Sequence, residues 1–414
     1  MKFLHLGDLH FGKSLHERPL AETDQAAWVE QVLESVKKEG ADAVVIAGDV
    51  YDRRVPQPEA MQLFDHFLTE LVNLGKYVLV IPGNHDSAIR LSHVSSLLTS
   101  HKVFIAGETK KEILHVAIPD GDTEAVFWLM PYLFPRMVQE VLGREDITSY
   151  DMAARAMVEA QDIDRDKCNI LVAHQNVLAG STKPEHSESE TIIGGVGEID
   201  YTAFDVFNYV ALGHIHNAQK IGREEVRYAG CPLYYDFSET KRKKALTYVT
   251  VNGKDIRIEE VEIPLLHRLK QVKGTLEEVL EAGRSMPDKS NYYIQCILTD
   301  KNLPAGAMDT LKAVYQESLV NVKREVQTVA DGTANTSLTA QGSAKTIEDQ
   351  LQEFCLSQMG QLPDGIQDEI FRKILEQQVS AGGLYLSDFR DVSSQDSREI
   401  AEFLLKAVSE EEEA

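Results

Sequence analysis

Thiols are scarce in this chain. Four cysteines, Cys168, Cys231, Cys296 and Cys355, are spread over 414 residues. None stands in C-x-x-C spacing, so neither a disulfide framework nor a zinc ribbon is expected, and a reducing cytoplasm is the natural setting. Long apolar runs are missing too: no stretch reaches the roughly 20 residues needed to cross a bilayer. The opening MKFLHLGDLH turns polar at Asp8 and His10 and reads as a first strand, not a signal peptide. Positive charge is in deficit, with a net of −24. That balance argues against a simple basic nucleic-acid binder. The deficit is uneven, however. Residues 345–414 hold 16 acidic and 6 basic residues and end in SEEEEA, whereas 265–326 hold 8 acidic and 9 basic. The acidic end reads as a solvated tail, and whole-chain charge says little about any one face. There is no G-x-x-x-x-G-K-[ST] loop, so no ATP site is expected in this chain, and GGVG at 194–197 lacks the strand–glycine–helix context of a dinucleotide site.

What the chain has instead is one local design used five times. MKFLHLGDLHFG (1–12), ADAVVIAGDVYD (41–52), YVLVIPGNHD (77–86), CNILVAHQN (168–176) and FNYVALGHIH (207–216) are each a short run of strand-forming residues. Each delivers Asp, Asn or His within a few residues of its end. Helical patterns separate the first three. In 23–40, Trp28, Val32 and Val36 share a face and Gly40 stops the helix; in 58–75, Met61, Phe64, Leu68, Leu71 and Val72 recur at three- and four-residue spacing. Strands alternating with helices predict an α/β domain, and continuously apolar strands predict sheets covered on both faces. Ligands of such sheets sit beyond the carboxyl ends of the strands. A polar cluster at the end of a buried strand is therefore the rim of a site.

The residues gathered there are Asp8, His10, Asp49, Asn84, His85, His174, His214 and His216. They offer carboxylate, amide and imidazole donors and no thiolate, which suits Mn²⁺, Fe²⁺, Zn²⁺ or Mg²⁺. Seven ligands are too many for one ion with room for substrate and fit two ions about 3.5–4 Å apart sharing a carboxylate. Such a pair can clamp a phosphoryl oxygen and acidify a water for in-line attack on phosphorus. One His or Asp after a strand is usually a cap or a turn residue; five strand ends in order are not explained that way.

GDLH, GDVYD, GNHD, AHQN and GHIH resemble, in order, the five signatures of the calcineurin-like metallophosphoesterases, over roughly residues 1–250. GDVYDRRVP, GNHDS and YVALGHIHNAQ followed by RYAGCPLYYDFSE narrow the resemblance to the SbcD family, bacterial nuclease subunits that work with the SMC-like ATPase SbcC in DNA-break processing. The fold implied is a two-sheet α/β sandwich with a small α/β cap domain and C-terminal helices. The resemblance also implies roles. Asp8, His10, Asp49 and His216 would hold one metal and Asp49, Asn84, His174 and His214 the other, with Asp49 bridging. Mn²⁺ is the first choice, with Mg²⁺ or Fe²⁺ as alternatives. His85 would protonate the leaving 3′ oxygen or stabilise charge there. Asp86 would orient His85 or its loop, and Asp52, where archaeal and eukaryotic relatives carry histidine, would support the site. Lys13, Arg53, Arg54 and Arg90 flank the motifs and are candidates for the DNA backbone. His5 reads as a packed or hydrogen-bonded core residue. KRKK (241–244) reads as a solvated edge, with phosphate contact as the alternative.

The expected organisation is a nuclease domain over 1–262, a β-α-β-α-β capping domain over 263–327, a flexible linker over 328–344 and a helical ATPase-binding region over 345–414. The linker is small and polar, and the last region carries three amphipathic patterns suited to a groove or coiled-coil base. A homodimer through helix 58–75 and segment 92–100 is implied by the family, and a heterotetramer with the ATPase. Two other functions stay open at this point: a metallophosphoesterase for small phosphodiesters or phosphoproteins, and a catalytically silent DNA-binding scaffold.

Overall fold

The computed structural model describes residues 1–187, 197–241, 243–300, 304 and 306–325. All of them fall in one compact unit, Met1–Val329. The linker and helical region expected over 328–344 and 345–414 lie outside the described residues.

Two six-stranded sheets form the body. In the first, the order is Asp255–Glu262, Ala245–Asn252, Lys2–Leu6, Ala43–Ala47, Tyr77–Ile81 and Val103–Ile105. The last four strands are parallel, and Ala245–Asn252 runs antiparallel beside Lys2–Leu6. In the second, the order is Gln219–Ile221, Arg223–Tyr228, Tyr209–Gly213, Cys168–His174, Thr123–Met130 and Leu114–Asp120. Here Tyr209–Gly213 and Cys168–His174 are parallel neighbours, with Gly213 opposite His174. The motif-bearing strands are thus central in both sheets.

The alternation of side chains along each strand splits the core into layers. Phe3, Val45 and Leu79 of the first sheet meet Phe127, Ile170 and Tyr209 of the second in the layer between the sheets. Leu4, Val44 and Val78 face the other way, onto Trp28, Val32, Phe64 and Phe67 of the two helices Ala26–Glu39 and Pro58–Asn73. Leu171 and Val210 pack against Met157 and Ala153 of Tyr150–Glu159 on the far side of the second sheet. The fold is a two-sheet α/β sandwich flanked by helices, as the continuous apolar strands predict. Gly40 ends the first helix in the left-handed region (φ 64°), the role its position suggests.

Helix Pro58–Asn73 departs from the expected stripe. Phe64 and Leu71 are buried in the core beneath it, but Met61 is 52% exposed. Ile89, Val94 and Leu97 in the following segment are exposed as well.

After Glu262 the chain forms Arg268–Gly274, Leu276–Arg284, Tyr292–Leu298, Ala307–Tyr315 and Leu319–Arg324, a β-α-β-α-β unit with a three-stranded parallel sheet. Thr275 and Glu278 close a capping box at the first of these helices. The unit has a core of its own around Val279, Ile294, Leu311 and Tyr315. It is also keyed into the larger body. Tyr293 is buried in the first sheet's helix-side core, and its hydroxyl donates to Asp24 at 2.5 Å. Asp24 also accepts from the His267 ring at 3.0 Å, and Arg18 lies over the Tyr293 ring. Among the described residues no helix is long and apolar enough to cross a membrane.

Candidate metal centre and phosphoesterase site

The carboxyl ends of Lys2–Leu6, Ala43–Ala47 and Tyr77–Ile81 converge with those of Cys168–His174 and Tyr209–Gly213 at one rim of the sandwich. The backbone there is held in conformations side chains rarely adopt. Of the eight non-glycine residues with positive φ among the described residues, four are candidate ligands: Asp8, His10, Asp49 and His214. Such strain is typical of residues aimed by function, not by packing. Neighbouring glycines let the strands close up. A Cβ at Gly83 would collide with the Asp49 carboxylate, and one at Gly213 would collide with the Ala47 carbonyl.

The structure brings all seven expected ligands together. On one side, Asp8, His10 and His216 lie within ligating reach of a common point. The Nε2 atoms of His10 and His216 face each other at 3.1 Å, and Asp49 Oδ2 is 3.7 Å from His10 Nε2. On the other side, Asn84 Oδ1 is 3.1 Å from His174 Nε2 and 3.0 Å from His214 Nδ1, and Asp49 Oδ2 is 3.3 Å from His174 Nε2. Asp49 thus adjoins both halves. Backbone contacts fix several rings and carboxylates. His174 Nδ1–H donates to Ala47 O at 2.8 Å, which turns Nε2 to the site. The His214 backbone N–H donates to Asp8 at 2.8 Å, and the His85 backbone N–H to Asp49 Oδ1 at 2.9 Å.

Electrostatics fit a cation pair. Asp8, His10, Asp49, His174 and His216 are all buried. Burial pushes the Asp8 carboxyl up to about 6, outweighing the His174 and His216 rings beside it. Burial acts the same way on Asp49, but His174, His85 and His10 prevail and hold its carboxyl well below the ordinary value. His174 answers in kind: Asp49 overcomes burial and raises it to about 9. His214 falls to about 3, because desolvation and the charged His174 ring outweigh Asp49. The donor set fits hard or borderline divalent cations. Two imidazole nitrogens bound side by side at about 2.1 Å would stand about 3.0 Å apart, close to the spacings seen here. His10 Nδ1, buried and without a hydrogen-bond partner, is a further polar atom that the protein groups alone leave unsatisfied.

His85 and Asp86 occupy different places. The His85 ring stands edge-on to His10 at 4.9 Å, and its Nδ1–H donates to the Asp52 carbonyl at 3.0 Å. Its other nitrogen is thereby free of that carbonyl. Asp86 accepts from the backbone N–H groups of Val50, Tyr51 and Gly83, each at 3.0 Å. It ties the 50–51 loop to the 83–86 loop and shapes the site from beneath. Asp52 receives Lys13 Nζ at 2.7 Å and stands 3.6 Å from His10 Nδ1. Lys13 also lies over the Tyr235 ring. Arg53, Arg54 and Arg90 are exposed beside these loops. His5 is a core residue: Tyr209 O–H donates to its Nδ1 at 3.0 Å, and burial lowers its pKa to about 3.

One reading is overturned. Lys244, taken with KRKK as solvated edge or phosphate contact, has a side chain only 8% exposed and pairs with Glu239 at 3.0 Å. Glu239, itself buried, accepts from His216 Nδ1–H at 3.2 Å. A buried carboxylate demands a buried cation, and Lys244 is within reach because the turn Phe237–Lys241 doubles the chain back. Spacing alone does not reveal that link.

The calcineurin-like phosphoesterase family pattern matches residues 1–218. The SbcD component of the nuclease SbcCD from Staphylococcus epidermidis is 30% identical over 324 residues, 77% of this chain and 84% of that protein. Among solved structures, a dimetal phosphatase from Danio rerio is 12% identical, with a TM-score of 0.36 over 63% of this chain and 98% of that one. Yfce, a phosphoesterase from E. coli, is 16% identical, with a TM-score of 0.27 over 64% and 100%. Those two scores are too low to bear on the assignment. The matched segment contains all five strand ends and every candidate ligand, and on that match the chain belongs to the calcineurin-like phosphoesterases, within the SbcD family.

Proposed function

We propose that this chain is a metal-dependent DNA nuclease subunit that hydrolyses phosphodiesters at a two-cation site. The observation that carries the reading is the convergence of seven N/O donors from five strand ends of two sheets, with Asp49 adjoining both halves. Asp8, His10, Asp49 and His216 would hold one divalent cation and Asp49, Asn84, His174 and His214 the other; Mn²⁺ is the first choice. Bound there, the cations would supply polarisation of a phosphoryl oxygen and a water made nucleophilic near neutral pH. The protein's share is positional. Ala47 fixes the His174 ring, Asp8 is held by the His214 backbone, and Asp86 locks the two loops that present Asp49, Asn84 and His85. His85, with Nδ1–H committed to the Asp52 carbonyl, has Nε2 to hold or deliver a proton to the leaving oxygen. Exposed Arg53, Arg54 and Arg90, and Lys13 at the rim, are the candidates to position the DNA backbone.

DNA as substrate, rather than small phosphodiesters or phosphoproteins, is supported by the similarity to the staphylococcal nuclease component and by the added β-α-β-α-β unit keyed to the body through Asp24. The same similarity supports partnership with an SbcC-type ATPase, with the C-terminal region as the dock and ATP-stimulated attack on duplex ends and hairpins as the joint activity. A homodimer is part of the proposal, and exposed Met61, Ile89, Val94 and Leu97 supply apolar surface for it. A silent scaffold is disfavoured by the complete ligand set. The test compares wild type with Asp49→Ala on linear, hairpin and single-stranded DNA with Mn²⁺, with and without the ATPase. Cleavage by wild type and none by the variant is expected. Full metal-dependent activity in Asp49→Ala would sink the two-cation reading, and cleavage of p-nitrophenyl phosphodiesters but of no DNA would favour the small-substrate reading.

A further inference from the structure

Behind His216 lies a polar cluster that the reaction does not use directly. Glu239 Oε1 accepts from His216 Nδ1–H at 3.2 Å. Its other oxygen, Oε2, accepts from Lys244 Nζ at 3.0 Å, from Cys231 Sγ at 3.2 Å and from the Tyr235 backbone N–H at 3.2 Å. Lys244 Nζ also lies 3.0 Å from Cys231 Sγ. The Cys231 backbone N–H donates to His216 O at 3.1 Å, so the segment grips both the ring and the main chain of His216. Glu239 is 1% exposed.

An ion pair this deeply buried is a poor device for stability alone, because desolvating two charges offsets most of their attraction. Its geometry suits a different task. A carboxylate that accepts from one ring nitrogen of a histidine fixes the tautomer, sets the ring's rotation and makes the opposite nitrogen more basic. Here the opposite nitrogen, Nε2, is the one facing His10 Nε2 at 3.1 Å. Lys244 balances the charge of Glu239 and occupies Oε2, leaving Oε1 to the ring. The other half of the site is built differently: His174 donates to a neutral backbone carbonyl, that of Ala47. The two halves thus differ in the electronic push behind their histidines.

We propose that Glu239, held by Lys244 and Cys231, is a positioning residue for His216, and that it selectively strengthens the half of the site made by Asp8, His10 and His216. The inference rests on the two-cation reading above. Its test is Mn²⁺ titration of the chelator-stripped full chain, by calorimetry and by electron paramagnetic resonance of free Mn²⁺. The double variant Glu239→Gln/Lys244→Met removes both charges together, so no buried charge is left unpaired. Two ions are expected in wild type. In the double variant, one ion is expected to bind about 10–100-fold more weakly and the other to be unchanged. Lys244→Arg, which keeps the pair, should restore wild-type binding. A purely structural role would lower the melting temperature of the metal-free chain and leave both affinities alone. Two ions bound by the double variant at wild-type affinities overturn the inference; fewer than two bound by wild type overturn the two-cation reading instead. A second measurement does not depend on the variant's folding. Histidine ¹⁵N resonances of the wild-type chain, with His216 assigned by its absence in His216→Asn, should show His216 protonated at Nδ1. A His216 ring with Nδ1 unprotonated overturns the proposal.

Discussion

The His85 side chain touches no ligand atom by hydrogen bond; its ring is oriented by the Asp52 carbonyl and stacked edge-on against His10. His85→Ala should therefore separate binding from chemistry. Turnover is expected to fall by about 10²–10⁴-fold, the usual worth of a general acid, while elemental analysis still finds two ions per chain. Loss of an ion would make His85 a ligand. A second residue-level consequence concerns protons. Without metal, His174 is protonated up to about pH 9 because Asp49 holds the imidazolium. Its contribution to stability is fully present below the ordinary histidine value near 6.5 and fades as pH rises through 9. A cation needs the neutral ring, so loading at pH 7 must expel that proton. Calorimetric titration of Mn²⁺ in buffers of different ionisation enthalpy is expected to show net proton release at pH 7 that shrinks toward pH 9.5. The clustering of the candidate ligands was legible in the sequence because each sits at the end of an apolar run. Glu239 and Lys244 were not, because their partner is a side chain brought near by folding and not by spacing.

At the scale of elements, periodicity located both long helices, the strands and the β-α-β-α-β unit. What it did not resolve is which apolar residues a helix turns inward. Met61 shares the helical repeat with Phe64 and Leu71 but falls outside the arc that the sheet covers. Nor does composition show how the β-α-β-α-β unit is joined to the body. That joint packs Tyr293, Leu269 and Val320 against the body's core around a polar centre at Asp24, which is 4% exposed and serves Tyr293 and His267. Removing a buried charged acceptor costs roughly 1.5–3 kcal/mol per hydrogen bond lost. Asp24→Ala, which loses two such bonds, is expected to destabilise the protein by roughly 3–6 kcal/mol in urea unfolding. Faster hydrogen exchange should be confined to strands Arg268–Gly274 and Tyr292–Leu298, with metal content unchanged. Uniform acceleration across both large sheets would show that Asp24 supports the body and not the joint.

Among the described residues, apolar surface remains that the core does not cover. Leu97 is 72% exposed and Val94 49%, and with Met61 and Ile89 they are candidates for a shared apolar patch. If they form a two-fold interface, each is close to its own copy or to Met61 across the axis. Leu97→Glu then sets like charges together. Light scattering at micromolar concentration is expected to report a dimer for wild type and a monomer for the variant, with single-chain Mn²⁺ binding intact. A monomeric wild type would remove the interface.

The sandwich closes only late in the chain. His10 and His216 are 206 positions apart, as are Asp8 and His214, and the first strand's outer neighbour runs from Ala245 to Asn252. A ribosome adding about 5–20 residues per second needs roughly 10–40 s to pass from the first ligand to the last. During that interval the nascent chain carries only part of the candidate site. Stalled chains shorter than about 220 residues, which lack the His214 and His216 end or still hold it in the exit tunnel, are expected to take up no paired Mn²⁺. The same topology that scatters the candidate ligands along the chain delays assembly of the site until the end of Tyr209–Gly213 has been made.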